Sequence, residues 1–231
     1  RLIMQSYKTF GPIAKLPNRP YCQNTDSAYS LLEVKMKYDS DYSGWGNEVL
    51  YRICKEKPLH DNIDVISSKL WLIGRAYSAA IERKAGPDFK IENAAKIIKE
   101  SRIDIHINNL NQINRINEKN IHVLLEAHKY FTDKLKEATG VAKRSLASKY
   151  LHFHAPNAVF IFDSIANNRI TRIVSIDKIR TKLQRKFDDP YELFSYRCLY
   201  YRNNILEKTL GLLATPRRID MELLGHRPLT T

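Results

Sequence analysis

Apolar residues recur at three- and four-residue spacing along most of the chain, and this spacing predicts amphipathic helices. Residues 63–84 carry one such stripe, and the Gly86–Pro87 pair predicts where that helix ends. The stripe consists of Ile66, Leu70, Ile73, Tyr77 and Ile81. Few segments alternate with a period of two, so the pattern does not favour strands.

Similar stripes predict further helices over 91–106, 118–137 and 190–213. Pro216 predicts the start of a short last helix from Arg217 to Leu224, because proline suits the first turn of a helix. The chain is therefore predicted to be all-α, with roughly eight to ten helices.

Residues 11–44 depart from this pattern, because prolines, glycines and a run of Asp, Ser and Tyr replace the apolar stripes. A loop-rich segment of this kind is a place where binding contacts concentrate. We expect residues 1–231 to form one unit of two helical lobes.

The charge balance narrows the choice of partner. The chain has a formal net charge of +13, and residues 143–231 hold 16 basic residues against 8 acidic ones. Such a surplus favours a polyanionic partner, most often nucleic acid. The alternative is a basic protein with a solvated surface.

Other bulk features limit the setting. No window approaches the roughly 18 uncharged apolar residues of a membrane span, so no membrane association is expected. The cysteines Cys22, Cys54 and Cys198 are far apart and form no CxxC pair, which argues against a cysteine zinc site or a four-cysteine cluster. We expect a monomer in a reducing bacterial cytoplasm, in some cases associated with the nucleoid.

Residues 138–165, ATGVAKRSLASKYLHFHAPNAVFIFDSI, combine a turn, a helix and an apolar run that ends at an acid. A predicted helix precedes the turn, and a second one is predicted from Ser145 to Phe153, so residues 118–153 form a helix–hairpin–helix. Such a turn aims backbone N–H groups outward, where they suit a DNA phosphate. The residues expected to contact the strand here are Gly140, Val141, Lys143, Arg144, Ser145 and Lys149.

Asp163 ends the apolar run and begins the predicted helix SIANNRITRI. Carboxylates are favoured at helix starts, so the simpler interpretation is an N-cap. Its short distance in sequence from the phosphate-binding turn favours a catalyst instead. Arg169 and Arg172 follow on the same helix, either as contacts to the strand backbone or as a solvated face.

Residues 140–163 resemble the helix–hairpin–helix DNA glycosylases, whose hairpin and short link end at an essential aspartate. Gly140 and Val141 match the first hairpin positions, and Asp163 matches the acid. The resemblance implies a double-stranded DNA partner and a DNA-binding cleft between the two helical lobes. It also implies base flipping followed by cleavage of the N-glycosidic bond without a cofactor or metal, with Asp163 beside the sugar.

The chain departs from the family pattern at three positions. Thr139 and Ala142 replace the usual proline and second glycine, and Arg144 lies where lyase-competent members carry their Schiff-base lysine. Arginine stays protonated and cannot do that chemistry. Lys149 is expected to face elsewhere. The resemblance thus implies a monofunctional glycosylase that leaves an abasic site.

A flipped base needs an aromatic pocket, and each candidate for it has core packing as the simpler role. Arg75 is included because a charge inside an apolar helix must find a partner or face a cleft. His152 and His154 lack a third ligand at metal-binding spacing, so no metal is expected. The candidate pocket residues are Tyr29, Trp45, Trp71, Arg75, Tyr77, His152 and Phe160.

Two other functions stay open. One is a helix–hairpin–helix protein that binds DNA without catalysis, with Asp163 as a cap only. The other is an all-helical RNase that uses Arg102 and His106. For a glycosylase, the substrate is a damaged base or a modified base of phage DNA, and the long 11–44 segment suits a roomy pocket for the latter.

Overall fold

The structure is a computed structural model that describes residues 47–225, and this part of the chain is all-α. The described residues belong to one compact unit. No strand occurs within the described range. The loop-rich segment 11–44 lies outside it, as do two candidates for the base pocket, Tyr29 and Trp45.

The helices begin with α1, of which residues 47–56 are described, followed by α2, Ile63–Ala76. Next come α3, Ile91–Lys99, α4, Ile103–Asn111, α5, Ile121–Thr139, and α6, Arg144–His154. The remaining helices are α7, Ser164–Ile173, α8, Asp189–Tyr201, α9, Glu207–Leu210, and α10, Pro216–Leu224. A π-helical turn, Arg202–Leu206, joins α8 to α9.

The core follows from the apolar stripes. Ile66, Leu70 and Ile73 of α2 are fully buried, and α2 packs against α3 and α6. Helix α5 packs against α3, α4 and α6, while α7 packs against α8 and α10. Helix α6 is therefore held between α2 and α5 and is buried along most of its length.

Several helix boundaries differ from the sequence-based expectation. The helix predicted over 63–84 ends at Ala76, and two residues later Ser78 adopts a positive φ of 52°. The helix predicted over 91–106 is divided into α3 and α4, and the one predicted over 190–213 contains the π-helical turn. The short helix predicted from Arg217 to Leu224 is present as α10, and Thr215 caps it by accepting a bond from the Arg218 N–H.

The early end of α2 frees a backbone carbonyl. In a longer helix, the Tyr77 carbonyl would accept from the N–H four residues later. Instead it accepts a 3.1 Å hydrogen bond from Lys149 Nζ of α6. The break in α2 thus provides an acceptor for a buried cation.

A chain of buried polar groups fixes the α1–α2 connection to α4 and α6. The Nδ1–H of His60 donates to Asp104 over 2.6 Å, and its Nε2 accepts from the Tyr150 hydroxyl over 2.8 Å. Lys69 Nζ donates to the Lys57 carbonyl and lies 3.4 Å from His154 Nε2. Burial is the main reason that the pKa of His60 is lowered, so the imidazole is neutral in this network.

Candidate active site

The turn between α5 and α6 is built on Gly140. This residue ends α5 with a φ of 72°, a left-handed conformation that glycine adopts without strain. Its N–H donates to the Lys136 carbonyl over 2.7 Å, and the Thr139 hydroxyl accepts from the Val141 N–H over 3.3 Å. Helix, turn and second helix thus follow in the order expected from the sequence.

The basic residues of this turn contact protein groups. Lys143 Nζ donates to the Arg83 carbonyl. Arg144 Nε lies 2.7 Å from each carboxylate oxygen of Asp188, whose side chain is only 12 % exposed. Arg144 therefore forms an intramolecular ion pair where we expected a contact with the DNA strand.

Ser145 does not cap α6, since Lys143 occupies the N-cap position and makes no side-chain cap. Its hydroxyl oxygen lies 3.0 Å from Lys149 Nζ and accepts a hydrogen bond from it. The Ser145 side chain therefore points towards the interior cluster described next.

Asp163 is the N-cap of α7, and its two oxygens have different surroundings. Oδ1 accepts a 2.8 Å hydrogen bond from the Ala166 N–H. Oδ2 lies 3.9 Å from Lys149 Nζ. The Asp163 side chain is 21 % exposed. The carboxylate thus caps α7, contacts solvent and lies beside the buried Lys149 amine.

Lys149 faces Asp163, which corrects the expectation that it points elsewhere. Its side chain is 4 % exposed, so it does not lie at the surface, where we expected it to contact the DNA backbone. The Nζ group donates to the Tyr77 carbonyl and to the Ser145 hydroxyl, and it lies 5.6 Å from the centre of the Tyr77 ring. Burial lowers the pKa of Lys149, while the charges of Asp163 and Asp220 act in the opposite direction.

Asp220 is a second carboxylate of this cluster, and the sequence analysis missed it. It lies on α10 with a 1 % exposed side chain and accepts a 2.6 Å hydrogen bond from Arg217 Nη1. Burial raises its pKa to about 6, the charge of Arg217 opposes this, and the charge of Asp163 adds to it. The only signal in the sequence is an Arg and an Asp three positions apart on a predicted helix.

Two of the candidate pocket residues are core or cluster residues. Phe160 is 1 % exposed and packs in the core. Tyr77 borders the cluster, with Lys149 and the Arg217 guanidinium both over its ring.

His152 is also a core residue. Its Nδ1–H donates to the Val159 carbonyl over 2.8 Å, and its Nε2 accepts from the Tyr51 hydroxyl over 2.8 Å. Burial lowers the pKa of His152 to about 3, so it is a neutral residue of the interior.

The two candidates on α2 do not face the cluster. Trp71 is 52 % exposed. Arg75 pairs with Glu82 at the surface, with a side chain that is 57 % exposed. The expectation that Arg75 points into a pocket is wrong, because a nearby carboxylate satisfies its charge in solvent.

The remaining basic candidates lie on α7. Arg169 Nη1 donates to the Leu223 carbonyl over 2.9 Å and so ties α7 to α10. Arg172 is exposed and forms no ion pair with any residue in the range 47–225. The residues of the RNase alternative lie apart from the cluster: Arg102 is the N-cap of α4, and the His106 ring packs 4.4 Å from the Tyr130 ring.

The described part of the chain contains no group of three His, Cys, Asp or Glu side chains that could hold a metal ion. Between residues 47 and 225, no helix has both the length and the hydropathy needed to cross a bilayer.

No protein-family model, curated protein or solved structure matches this chain. The functional argument therefore depends on the cluster of Lys149, Asp163 and Asp220 and on the turn that precedes it.

Proposed function

We propose that the chain is a DNA N-glycosylase in which Asp163 is the catalytic carboxylate and Lys149 the nucleophile. The observation that carries this proposal is the 3.9 Å separation of Lys149 Nζ from Asp163 Oδ2, at a helix start that follows a glycine turn. A buried amine with a lowered pKa beside a partly exposed acid is a common feature of functional sites.

Each group has a defined task in the proposed reaction. Breaking an N-glycosidic bond develops positive charge on the sugar, and the Asp163 carboxylate stabilises that charge. The lone pair of Lys149 Nζ forms a bond to the sugar C1′, and the glycosidic bond breaks. The electron pair leaves with the base, which takes up the proton that the amine loses. The C1′–O4′ bond of the sugar then opens to give an imine between Lys149 and C1′, and O4′ takes up a second proton from the nitrogen. Borohydride reduces this imine, whereas water hydrolyses it to free Lys149 and the abasic site.

The proposal differs from the sequence-based expectation in one respect. We expected a monofunctional enzyme because Arg144 occupies the position of the Schiff-base lysine and Lys149 was expected to face elsewhere. Lys149 faces Asp163, and a desolvated lysine is a suitable amine nucleophile. We therefore include the attack of the Lys149 amine on the sugar C1′ in the proposed reaction.

DNA is the proposed partner because of the net charge of +13 and its surplus in the last 89 residues. The proposed substrate is a damaged or modified base, with the glucosylated bases of phage DNA among the first to test. The turn and the acid address the backbone and the sugar, so they do not select one base.

An abasic-site assay tests this function. The protein is incubated with DNAs that contain uracil, oxidised guanine, alkylated purine or glucosylated hydroxymethylcytosine, and borohydride is added to trap an amine adduct. We expect abasic sites from the parent and none from Asp163→Asn, while Lys149→Arg loses the trapped adduct. Asp177→Asn is the matched control, because this carboxylate is 73 % exposed and pairs with Arg180.

The second candidate is a DNA-binding protein without catalysis. The hydrogen bond from the Ala166 N–H to Asp163 Oδ1 favours it, because a cap alone explains that contact. No product on any DNA, together with salt-sensitive binding by both the parent and Asp163→Asn, would support this candidate and refute the glycosylase.

A further inference from the structure

Asp220 has a buried oxygen that the fold does not explain. Its Oδ2 accepts from Arg217 Nη1, but its Oδ1 is buried and accepts no hydrogen bond from any described residue. A buried carboxylate oxygen without a donor is unfavourable, so it calls for a reason beyond packing.

The packing of α10 brings Asp220 to the proposed site. Helix α10 packs against α7, the helix that Asp163 caps, and Arg169 of α7 holds the end of α10 through the Leu223 carbonyl. The Tyr77 ring has Lys149 Nζ 5.6 Å from its centre and Arg217 Cζ 5.8 Å from it. The amine and the Arg217–Asp220 pair thus meet at one aromatic ring.

We propose that Asp220 is a positioning residue of the site, whose charge sets the pH at which Lys149 becomes a neutral amine. This inference rests on the proposed function, in which only the neutral amine attacks the sugar. Asp220 makes no ion pair with Lys149 within 4.0 Å, so it acts on the buried amine through its field.

The charged and titratable groups around the pair determine the sign. Lys149 faces the carboxylates of Asp163 and Asp220 and the Tyr77 ring. Asp220 faces Arg217, Asp163 and Lys149, and its charge also acts on Tyr77 and on Cys198 of α8. The ionised Asp220 carboxylate stabilises the ammonium form of Lys149. When Asp220 is protonated, this stabilisation is lost and Lys149 gives up its proton more readily.

The electrostatics of Asp220 support this role. Its pKa of about 6 makes it a carboxylate at neutral pH and a neutral acid in mildly acidic solution. Protonation of Asp220 therefore removes a charge that stabilises the Lys149 ammonium, which shifts the Lys149 equilibrium towards the neutral amine.

The direct test is an NMR titration of protein labelled with 13C at lysine Cε and aspartate Cγ. We compare the parent, Asp220→Asn and the control Glu222→Gln, a carboxylate on the same helix that pairs with Arg218 over 2.6 Å. In Asp220→Asn we expect the Lys149 midpoint to fall by about one pH unit, because a nearby negative charge is removed. The control should leave it unchanged.

The unmodified protein provides a second measurement that holds even if Asp220→Asn fails to fold. The chemical shift of Lys149 Cε should show an inflection at the pH where the Asp220 Cγ signal titrates, because the protonation of one group changes the titration of a group that interacts with it. An unmoved Lys149 midpoint in the variant, or the absence of that inflection in the parent, would overturn the proposal.

A kinetic experiment distinguishes the failure of this inference from the failure of the proposed function on which it rests. The rate of borohydride trapping on DNA with an abasic site is measured against pH, and the acid limb should move to lower pH in Asp220→Asn. Trapping by the parent with the same limb in the variant refutes the role of Asp220 alone. No trapping by the parent at any pH refutes the amine function, and with it that role.

Discussion

Lys149 Nζ and Asp163 Oδ2 lie 3.9 Å apart although they belong to different helices, α6 and the cap of α7. The hydroxyl of Ser148 explains how they meet. It accepts a 3.0 Å hydrogen bond from the Phe162 N–H, so the residue before Lys149 holds the residue before Asp163. The apolar run is thereby fixed against α6 with its terminal acid facing the amine.

Replacing Ser148 by Ala should destabilise the protein. The Phe162 N–H loses its acceptor, and an unsatisfied buried group of this kind costs about 1–3 kcal/mol. Chemical denaturation measures the free energy of unfolding. The matched control is Ser67→Ala, because the Ser67 hydroxyl is buried without a hydrogen-bond partner in the described range. Equal losses for the two variants would contradict the proposed tether.

The two roles of Asp163 can be separated by comparing its Asn and Ala variants. Asn is as good an N-cap as Asp, so Asp163→Asn should retain the stability of α7, whereas Asp163→Ala should lose about 1 kcal/mol. Both should lose base excision, because neither carries the negative charge that stabilises the sugar cation.

Thermal melts and the abasic-site assay, run on the same preparations, check this pair. If Asp163→Asn excises bases at the rate of the parent, the carboxylate is only a cap. If Asp163→Ala melts with the parent, the hydrogen bond to the Ala166 N–H contributes nothing to stability.

The helices could largely be predicted from the sequence, but their ends could not. Apolar stripes indicate which face is buried, and α10 was predicted correctly from Pro216. The break in α2 was missed because a distant residue stabilises it: Lys149 binds the Tyr77 carbonyl that the break exposes.

The same distinction holds for the site. Asp163 was identifiable because a helix start after an apolar run is a local pattern. The position of Lys149 and the presence of Asp220 were not, because the packing of α6, α7 and α10 brings them together. Ion pairs such as Arg144 with Asp188 leave no local signal either, since the partners are far apart in sequence.

Stability should fall as the pH drops below 6.5, because the fold buries neutral histidines. Burial lowers the pKa of His128 and of His152 to about 3, whereas the unfolded chain binds protons from 6.5 downward. Their contribution is complete above 6.5 and is lost between 6.5 and 3, at about 1.4 kcal/mol per pH unit for each histidine. Asp220 opposes this, because its raised pKa of about 6 favours the folded state as the pH falls from 6 to 4.

Urea denaturation at several pH values measures this slope. His152→Asn retains a donor for the Val159 carbonyl but has no group that titrates near 6.5, so its slope should be smaller by about 1.4 kcal/mol per pH unit. His122→Asn is the control, since this histidine side chain is exposed. An unchanged slope in His152→Asn would show that this histidine is not the proton acceptor.

The basic residues should divide into structural and DNA-binding ones. Arg144 pairs with Asp188, while Arg172 on α7 is exposed and has no ion-pair partner in the described range. Arg172→Gln should therefore weaken DNA binding and reduce the slope of log K against log salt by about one, since one phosphate contact is lost.

Arg144→Gln should leave that slope unchanged and lower the melting temperature, because Asp188 would remain half-buried without its partner. Fluorescence anisotropy on duplex DNA between 50 and 200 mM salt, a range in which such contacts change affinity by about 10³-fold or more, measures both variants. A reduced slope for Arg144→Gln with an unaltered one for Arg172→Gln would assign the strand contact to the turn and not to α7.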